Sequence, residues 1–219
     1  WNDHGHTLTE TPYAELDAAV DASDVVVIVN PNNPTGATVP AAQLQRWAER
    51  LSARGGWLVV DEAFGDTSQH NSVAAHTDRP GLVVLRSVGK FFGLAGIRLG
   101  FVAAHPNLLR GLADLLGPWT ISGPAQHIAI AALRDKQWQA GTREQLDAGG
   151  ERLRQLLAAH GIASNGPPLF QWWSEARPEE FWRHMAERGI WVRLFTHAAR
   201  GIRLGLSPDE AGWRRLQAA

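Results

Sequence analysis

The sequence predicts an α/β fold built on a mainly parallel sheet, and three observations lead there. Val25–Val29 is an unbroken β-branched run, which reads as a strand buried on both faces, as parallel strands are. Two further short apolar runs follow at 57–60 and 82–85. A helical pattern separates the first run from the second, and strand–helix–strand order with short buried strands is the α/β signature.

Each element follows from local chemistry. The first strand ends at Asn30-Pro31-Asn32-Asn33-Pro34-Thr35-Gly36, a dense turn signal. Pro40 then opens a helix that runs to about Arg54, with Leu44, Trp47, Ala48 and Leu51 on one face and Gly55-Gly56 as its stop. The second strand, 57–60, ends at Asp61-Glu62. The third, 82–85, leads into Arg86-Ser87-Val88-Gly89-Lys90, and 99–103 makes a fourth. Helices follow at 107–116, 124–135 and 136–160, the last expected to bend at Gly149-Gly150. A second strand-and-helix set closes the chain: strands at 169–173, 190–194 and 202–206, a helix at 178–188 and another from Pro208. A domain boundary is expected near residue 148, giving units 1–148 and 149–219.

Composition narrows the function. With 219 residues, 44% hydrophobic and 20% charged, the chain is globular and neither disordered nor fibrous. The net charge of -1 and the lack of a like-charge block argue against nucleic acid and anionic membranes as partners. No apolar run reaches the length of a membrane span, and residues 1–6 lack the basic start and apolar core of a signal peptide. The absence of cysteine excludes disulfides, thiolate catalysis and cysteine-ligated metal sites. A cytoplasmic enzyme is the expectation. Of 21 basic residues only Lys90 and Lys136 are lysines, so a retained lysine is a candidate for chemistry arginine cannot do.

The candidate site lies past the C-terminal ends of three strands, where open α/β sheets bind ligands. It gathers Asn33 after the first strand, Asp61 after the second, and Ser87 with Lys90 after the third; Arg98 follows eight residues on. An amine beside cations or under burial becomes nucleophilic and forms a Schiff base with an aldehyde. A carboxylate holds a pyridine nitrogen protonated, a hydroxyl and an arginine bind a phosphate monoester, and an amide bonds a ring hydroxyl. Together these are the needs of pyridoxal 5'-phosphate. Val88-Gly89-Lys90-Phe91 is not a nucleotide P-loop, because Val84 and Phe91 occupy positions that motif reserves for Gly and Ser/Thr. His4 and His6 lack a third ligand at sensible spacing, so no metal site is expected. The tryptophans read as packing residues, with Trp119 a candidate for lining the site.

Three segments together resemble the class I/II aminotransferase group of fold-type I pyridoxal-phosphate enzymes. They are Asn32-Asn33-Pro34-Thr35-Gly36, then Val59-Val60-Asp61-Glu62-Ala63-Phe64, then Ser87-Val88-Gly89-Lys90 with Gly93-Leu94-Ala95-Gly96-Ile97-Arg98-Leu99-Gly100. The resemblance runs from about Asp24 to the C-terminus. Phe64, where aminotransferases usually have Tyr, and the segments around Trp119 and Trp191 lean to the branch that decarboxylates L-threonine O-phosphate in cobalamin biosynthesis. An aminotransferase acting on a phosphorylated substrate such as histidinol phosphate is the alternative. A non-catalytic remnant of the family is the second alternative.

The resemblance implies roles position by position. Lys90 is the Schiff-base lysine, Asp61 pairs with the pyridine nitrogen and Asn33 bonds the ring hydroxyl. Ser87 and Arg98 hold the cofactor phosphate. Arg203 matches the arginine that receives a substrate carboxylate, and Arg193 one that binds a substrate phosphate. The fold implied is a large pyridoxal-phosphate-binding domain with a small α+β C-terminal domain, and a homodimer. Family members have a substantial segment ahead of the position of Trp1, including a phosphate-binding turn, so the large domain is expected to be N-terminally incomplete. Gly89 stands where a hydroxyl residue is often found.

Overall fold

The computed structural model describes residues 2–219. Strand β1 (Val25–Val29), β2 (Trp57–Asp61), β3 (Leu82–Ser87) and β4 (Gly100–Ala104) form one sheet in the order β1-β2-β3-β4. The first three strands are parallel, and β4 returns antiparallel with Ser87 opposite Gly100. Helices α1 (Leu16–Ala22) and α2 (Ala41–Ser52) precede and follow β1. Helix α2 has Pro40 as its N-cap, where a missing N–H costs nothing. Its Leu44, Trp47, Ala48 and Leu51 pack with Leu16 and Val20 of α1 onto Val26, Ile28, Leu58, Val60, Leu82 and Val84.

That packing corrects one expectation. Strand β1 is not buried on both faces: Val26 and Ile28 are buried, but Val27 is 51% exposed. Helices α1 and α2 cover one side of the sheet, and a β-branched run satisfies strand geometry whether one face is covered or two. Strand β4 is likewise open, with Phe101 and Val102 exposed.

Helices α3 (Pro106–Leu116), α4 (Gly123–Arg134) and α5 (Lys136–Ala159) follow. Helix α5 runs through Gly149-Gly150 without a break. A Cβ at Gly150 would lie 2.9 Å from the backbone of Pro168, and one at Gly149 would lie 3.0 Å from the Leu206 side chain. Those glycines therefore serve close approach, not a bend.

The second sheet orders β5 (Phe170–Trp173), β7 (Gly201–Gly205) and β6 (Arg193–Phe195), all antiparallel. One face packs Trp173, Ile202 and Leu204 against Leu153 and Leu157 of α5, Met185 of α6 (Pro178–Glu187) and Trp213 of α7 (Glu210–Gln217). Strand β6 starts three residues later than the sequence suggested. Gly189, at φ 70°, closes the end of α6, and the Ile190 N–H reaches back to the Met185 carbonyl at 2.9 Å. Val192 then plugs the core at 1% exposure before the strand begins. No helix of the described residues is long and apolar enough to cross a membrane.

Candidate active site

The two sheets meet at a cleft of about 530 Å³ beyond the C-terminal edge of the parallel strands. The turn after β1 abuts the second sheet closely: a Cβ on Gly36 would lie 2.4 Å from Gly166 Cα, and Asn165 Nδ2 donates to the Thr35 carbonyl at 3.1 Å.

Four of the expected residues line this cleft together: Asn33, Lys90, Arg193 and Arg203. Arg193 and Arg203 face each other across β6 and β7 in register. Like charges directly opposite on a sheet repel, and among the described residues neither has a carboxylate partner. Burial, aided by the Arg193 charge, pulls the Arg203 guanidinium below its ordinary pKa. Arg203 donates to the Asn33 side-chain oxygen. Aromatic rings separate the cations. Lys90 Nζ lies 5.4 Å from the Phe64 ring centre, Phe64 meets Phe170 edge-on at 5.3 Å, and Arg203 lies 5.0 Å from Phe170. Phe195 sits between the arginines, 5.7 Å from Arg193 and 5.9 Å from Arg203. These contacts orient each cation without neutralising it. Among the described residues no acidic residue lines the cleft.

The other three expected residues stand apart from it. Asp61 is the last residue of β2, in register with Val29 and Leu85, and its Oδ1 accepts the Ala63 N–H at 2.9 Å. Ser87 ends β3; its Oγ accepts the Gly89 N–H at 3.0 Å and borders a crevice shared with Arg86 and Phe92. Arg98 adopts a left-handed backbone, φ 54°, and donates to the Ala95 carbonyl at 3.0 Å beside the loop carrying Thr120 and Ser122. Trp119, expected near the site, is 92% exposed and lines no part of the cleft; Trp191 does.

Sequence reasoning missed a buried ion network behind the strand ends. Glu62, 1% exposed, accepts from Ser72 Oγ at 2.6 Å, the Val73 N–H at 2.8 Å and Arg86 Nη1 at 2.8 Å. Arg86 also pairs with Asp66. Burial works against the Arg86 charge, but Asp66 and Glu62 hold its pKa above the ordinary guanidinium value. Glu62 follows β2 and Arg86 lies within β3, and only the register of the two strands brings them opposite each other.

A mainly parallel sheet with a polar C-terminal edge and a cationic cleft is the arrangement of a ligand-binding α/β protein. The profile of the family Aminotransferase class I and II matches residues 6–217, and the chain belongs to that family. It is 50% identical over 220 residues to the threonine-phosphate decarboxylase of Pseudomonas aeruginosa, covering 100% of this chain and 66% of that protein. It is 37% identical over 174 residues to the histidinol-phosphate aminotransferase of Streptomyces avermitilis, covering 78% of this chain and 47% of that one. The fold matches the histidinol-phosphate aminotransferase of Sinorhizobium meliloti, solved in complex with pyridoxal-5'-phosphate, with a TM-score of 0.80 at 24% identity, over 93% of this chain and 58% of that one. The chain thus spans 66% of the decarboxylase's length and less of the aminotransferases'.

Proposed function

We propose that the protein is a pyridoxal 5'-phosphate-dependent lyase that decarboxylates L-threonine O-phosphate to aminopropanol phosphate, a step of cobalamin biosynthesis. The observation that carries this reading is the opposed, uncompensated pair Arg193 and Arg203 facing Lys90 across one cleft. Two guanidinium groups with no acid between them suit a substrate with two anionic groups, a carboxylate and a phosphate. The higher identity to the decarboxylase than to the aminotransferase points the same way.

The residues present fit the cofactor. Lys90 has an exposed amine with no hydrogen-bond or carboxylate partner among the described residues, against an aromatic ring. Asn33 lines the cleft with Lys90, Asp61 and Ser87 end β2 and β3, and Arg98 lies two residues before β4, supplying an amide, a carboxylate, a hydroxyl and a guanidinium. In this reading Asp61 pairs with the ring nitrogen, Asn33 with the ring hydroxyl, and Ser87 and Arg98 with the cofactor phosphate. The bound cofactor supplies an electron sink for the bond broken at the substrate α-carbon. Arg203 receives the substrate carboxylate and Arg193 its phosphate. Lys90 moves the proton that replaces carbon dioxide at the α-carbon. Phe64 and Phe170 exclude water from the floor between them.

An aminotransferase acting on histidinol phosphate is the second reading, favoured by the shared fold. That substrate has a phosphate but no carboxylate, and its oxo-acid co-substrate would bring the carboxylate in the second half-reaction, so the assay and not the arginine pair separates the two readings. The decisive test adds pyridoxal phosphate, reduces with borohydride and locates the adduct by mass spectrometry, then assays carbon dioxide release from phosphothreonine without an oxo acid. We expect an adduct on Lys90 that Lys90→Ala lacks, and acceptor-independent release. Turnover that requires an oxo acid selects the aminotransferase, and no adduct on a folded chain selects the non-catalytic remnant.

The same reading assigns 1–148 to a cofactor domain and 149–219 to a small domain, with a homodimer in the cytoplasm. Exposed Leu115, Leu116 and Trp119 supply apolar surface for the partner.

A further inference from the structure

We propose that Arg86 is a positioning residue for the strand ends at Asp61 and Ser87, locking them through its ion pairs with Glu62 and Asp66. The inference rests on the proposed cofactor site for its purpose, but its geometry stands independently. The parallel register pairs Val60 with Val84 and Asp61 with Leu85, so the next step sets Glu62 opposite Arg86. Successive strand residues point to opposite faces. Glu62 and Arg86 therefore extend the face that holds Leu58, Val60, Leu82 and Val84, all of them core residues. Asp61, Leu85 and Ser87 belong to the other face. Asp61 and Ser87, two of the residues with a proposed cofactor role, are thus each bonded through one peptide to one half of the Glu62–Arg86 ion pair.

The lock is closed on several sides. The Glu62 N–H bonds the Leu85 carbonyl at 2.8 Å, which continues the ladder past the formal end of β2. The Glu62 carboxylate is saturated by Ser72, Val73 and Arg86. Arg143 of α5 donates its Nε to the Asp66 carbonyl at 2.9 Å and lies 5.1 Å from the ring centre of Phe91, the residue after Lys90. A buried ion cluster adds little net stability compared with a well-packed apolar one. Its distinguishing property is fixed geometry, which suits a place where two strand ends must keep their spacing.

Two backbone amides report the local order of the two strand ends. The Ala63 N–H bonds the Asp61 carboxylate and the Gly89 N–H bonds the Ser87 hydroxyl. The experiment measures hydrogen exchange at both amides in cofactor-free protein, together with pyridoxal phosphate affinity. It compares wild type, Arg86→Met, Arg86→Lys and the distant core variant Leu157→Ala, chosen to match a loss of global stability. In Arg86→Met we expect both amides to exchange about tenfold faster than in Leu157→Ala, and the cofactor to bind about tenfold more weakly. Arg86→Lys should recover part of both, and it supplies the measurement if Arg86→Met does not fold. Amide exchange and affinity no different from those of Leu157→Ala would overturn the proposal, leaving Arg86 a purely structural residue. If wild type binds no cofactor, the functional reading fails while the amide comparison still decides the lock.

Discussion

Arginines serve opposite ends in two regions of this protein. Arg86 lies half-buried in a compensated cluster, with buried Glu62 and Asp66 on one side chain. Arg193 and Arg203 lie opposed across two strands with aromatic rings for company and, among the described residues, no carboxylate partner. The first arrangement closes on itself and needs nothing further. The second is electrostatically unfinished, and proteins leave such a pair facing a cleft where an anion completes it. Charge bookkeeping within each cluster therefore separates a self-compensated cation from one left open to an anion.

Three experiments bear on that contrast. The largest effect is expected on the compensated side. Glu62→Gln removes one charge from a buried pair and should cost about 3–5 kcal/mol of stability, read as a lower urea midpoint. A loss no greater than that of an exposed pair such as Arg154–Glu151 would break the comparison.

On the uncompensated side the expected signs differ. Arg203→Leu should reduce kcat/KM for phosphothreonine by about a hundredfold, the worth of two charge-assisted hydrogen bonds. Arg193→Leu, at the more exposed position, should reduce it by about tenfold, mostly in KM. Neither substitution should lower the thermal midpoint, because each relieves repulsion across β6 and β7. A midpoint that falls as far as in Glu62→Gln would mean these arginines are structural after all.

The smallest effect sharpens the contrast with a group buried while uncharged. The Tyr13 hydroxyl donates to the Val29 carbonyl, and burial pushes its pKa from 10.0 up to about 12. The folded state holds that proton more tightly than the unfolded one. Its contribution is whole below pH 10 and is lost as pH rises toward 12. Melting between pH 9 and pH 11.5 should show a steeper alkaline loss in wild type than in Tyr13→Phe. Parallel curves would remove Tyr13 as the cause.

Much of this was legible in the chain. Polar residues after short apolar runs announced the C-terminal edge of the sheet, because ligands bind there and strand interiors exclude such groups. Asn33 and Lys90 stood out by chemical type alone. The one-sided burial of β1 was not legible, since Val27 is as suited to a bare face as to a packed one. The Arg193–Arg203 opposition needs the pairing of β6 with β7, a contact between distant segments. The Glu62–Arg86 pair follows from a register that only the folded sheet supplies. Strand β6 began late because Gly189 and Val192 spend three residues turning and plugging, and local propensity does not record that.

Helix α5 has a consequence for how such a protein can be rearranged. Its 24 residues, about 36 Å of continuous rod, touch both halves of the molecule. The first turns bring Trp138 onto Phe91 and Phe92 and Arg143 onto Asp66, while the last bring Leu153 and Leu157 into the second core. Residue 148 falls inside that rod. A recombination that swapped the second half for another at that point would cut a helix instead of a loop, and would part the turns that carry Trp138 and Arg143 from those that carry Leu153 and Leu157. Crossovers at the turns around 118–122 or 161–168 leave the rod whole, so chimaeras joined there should fold where those joined at 148 do not.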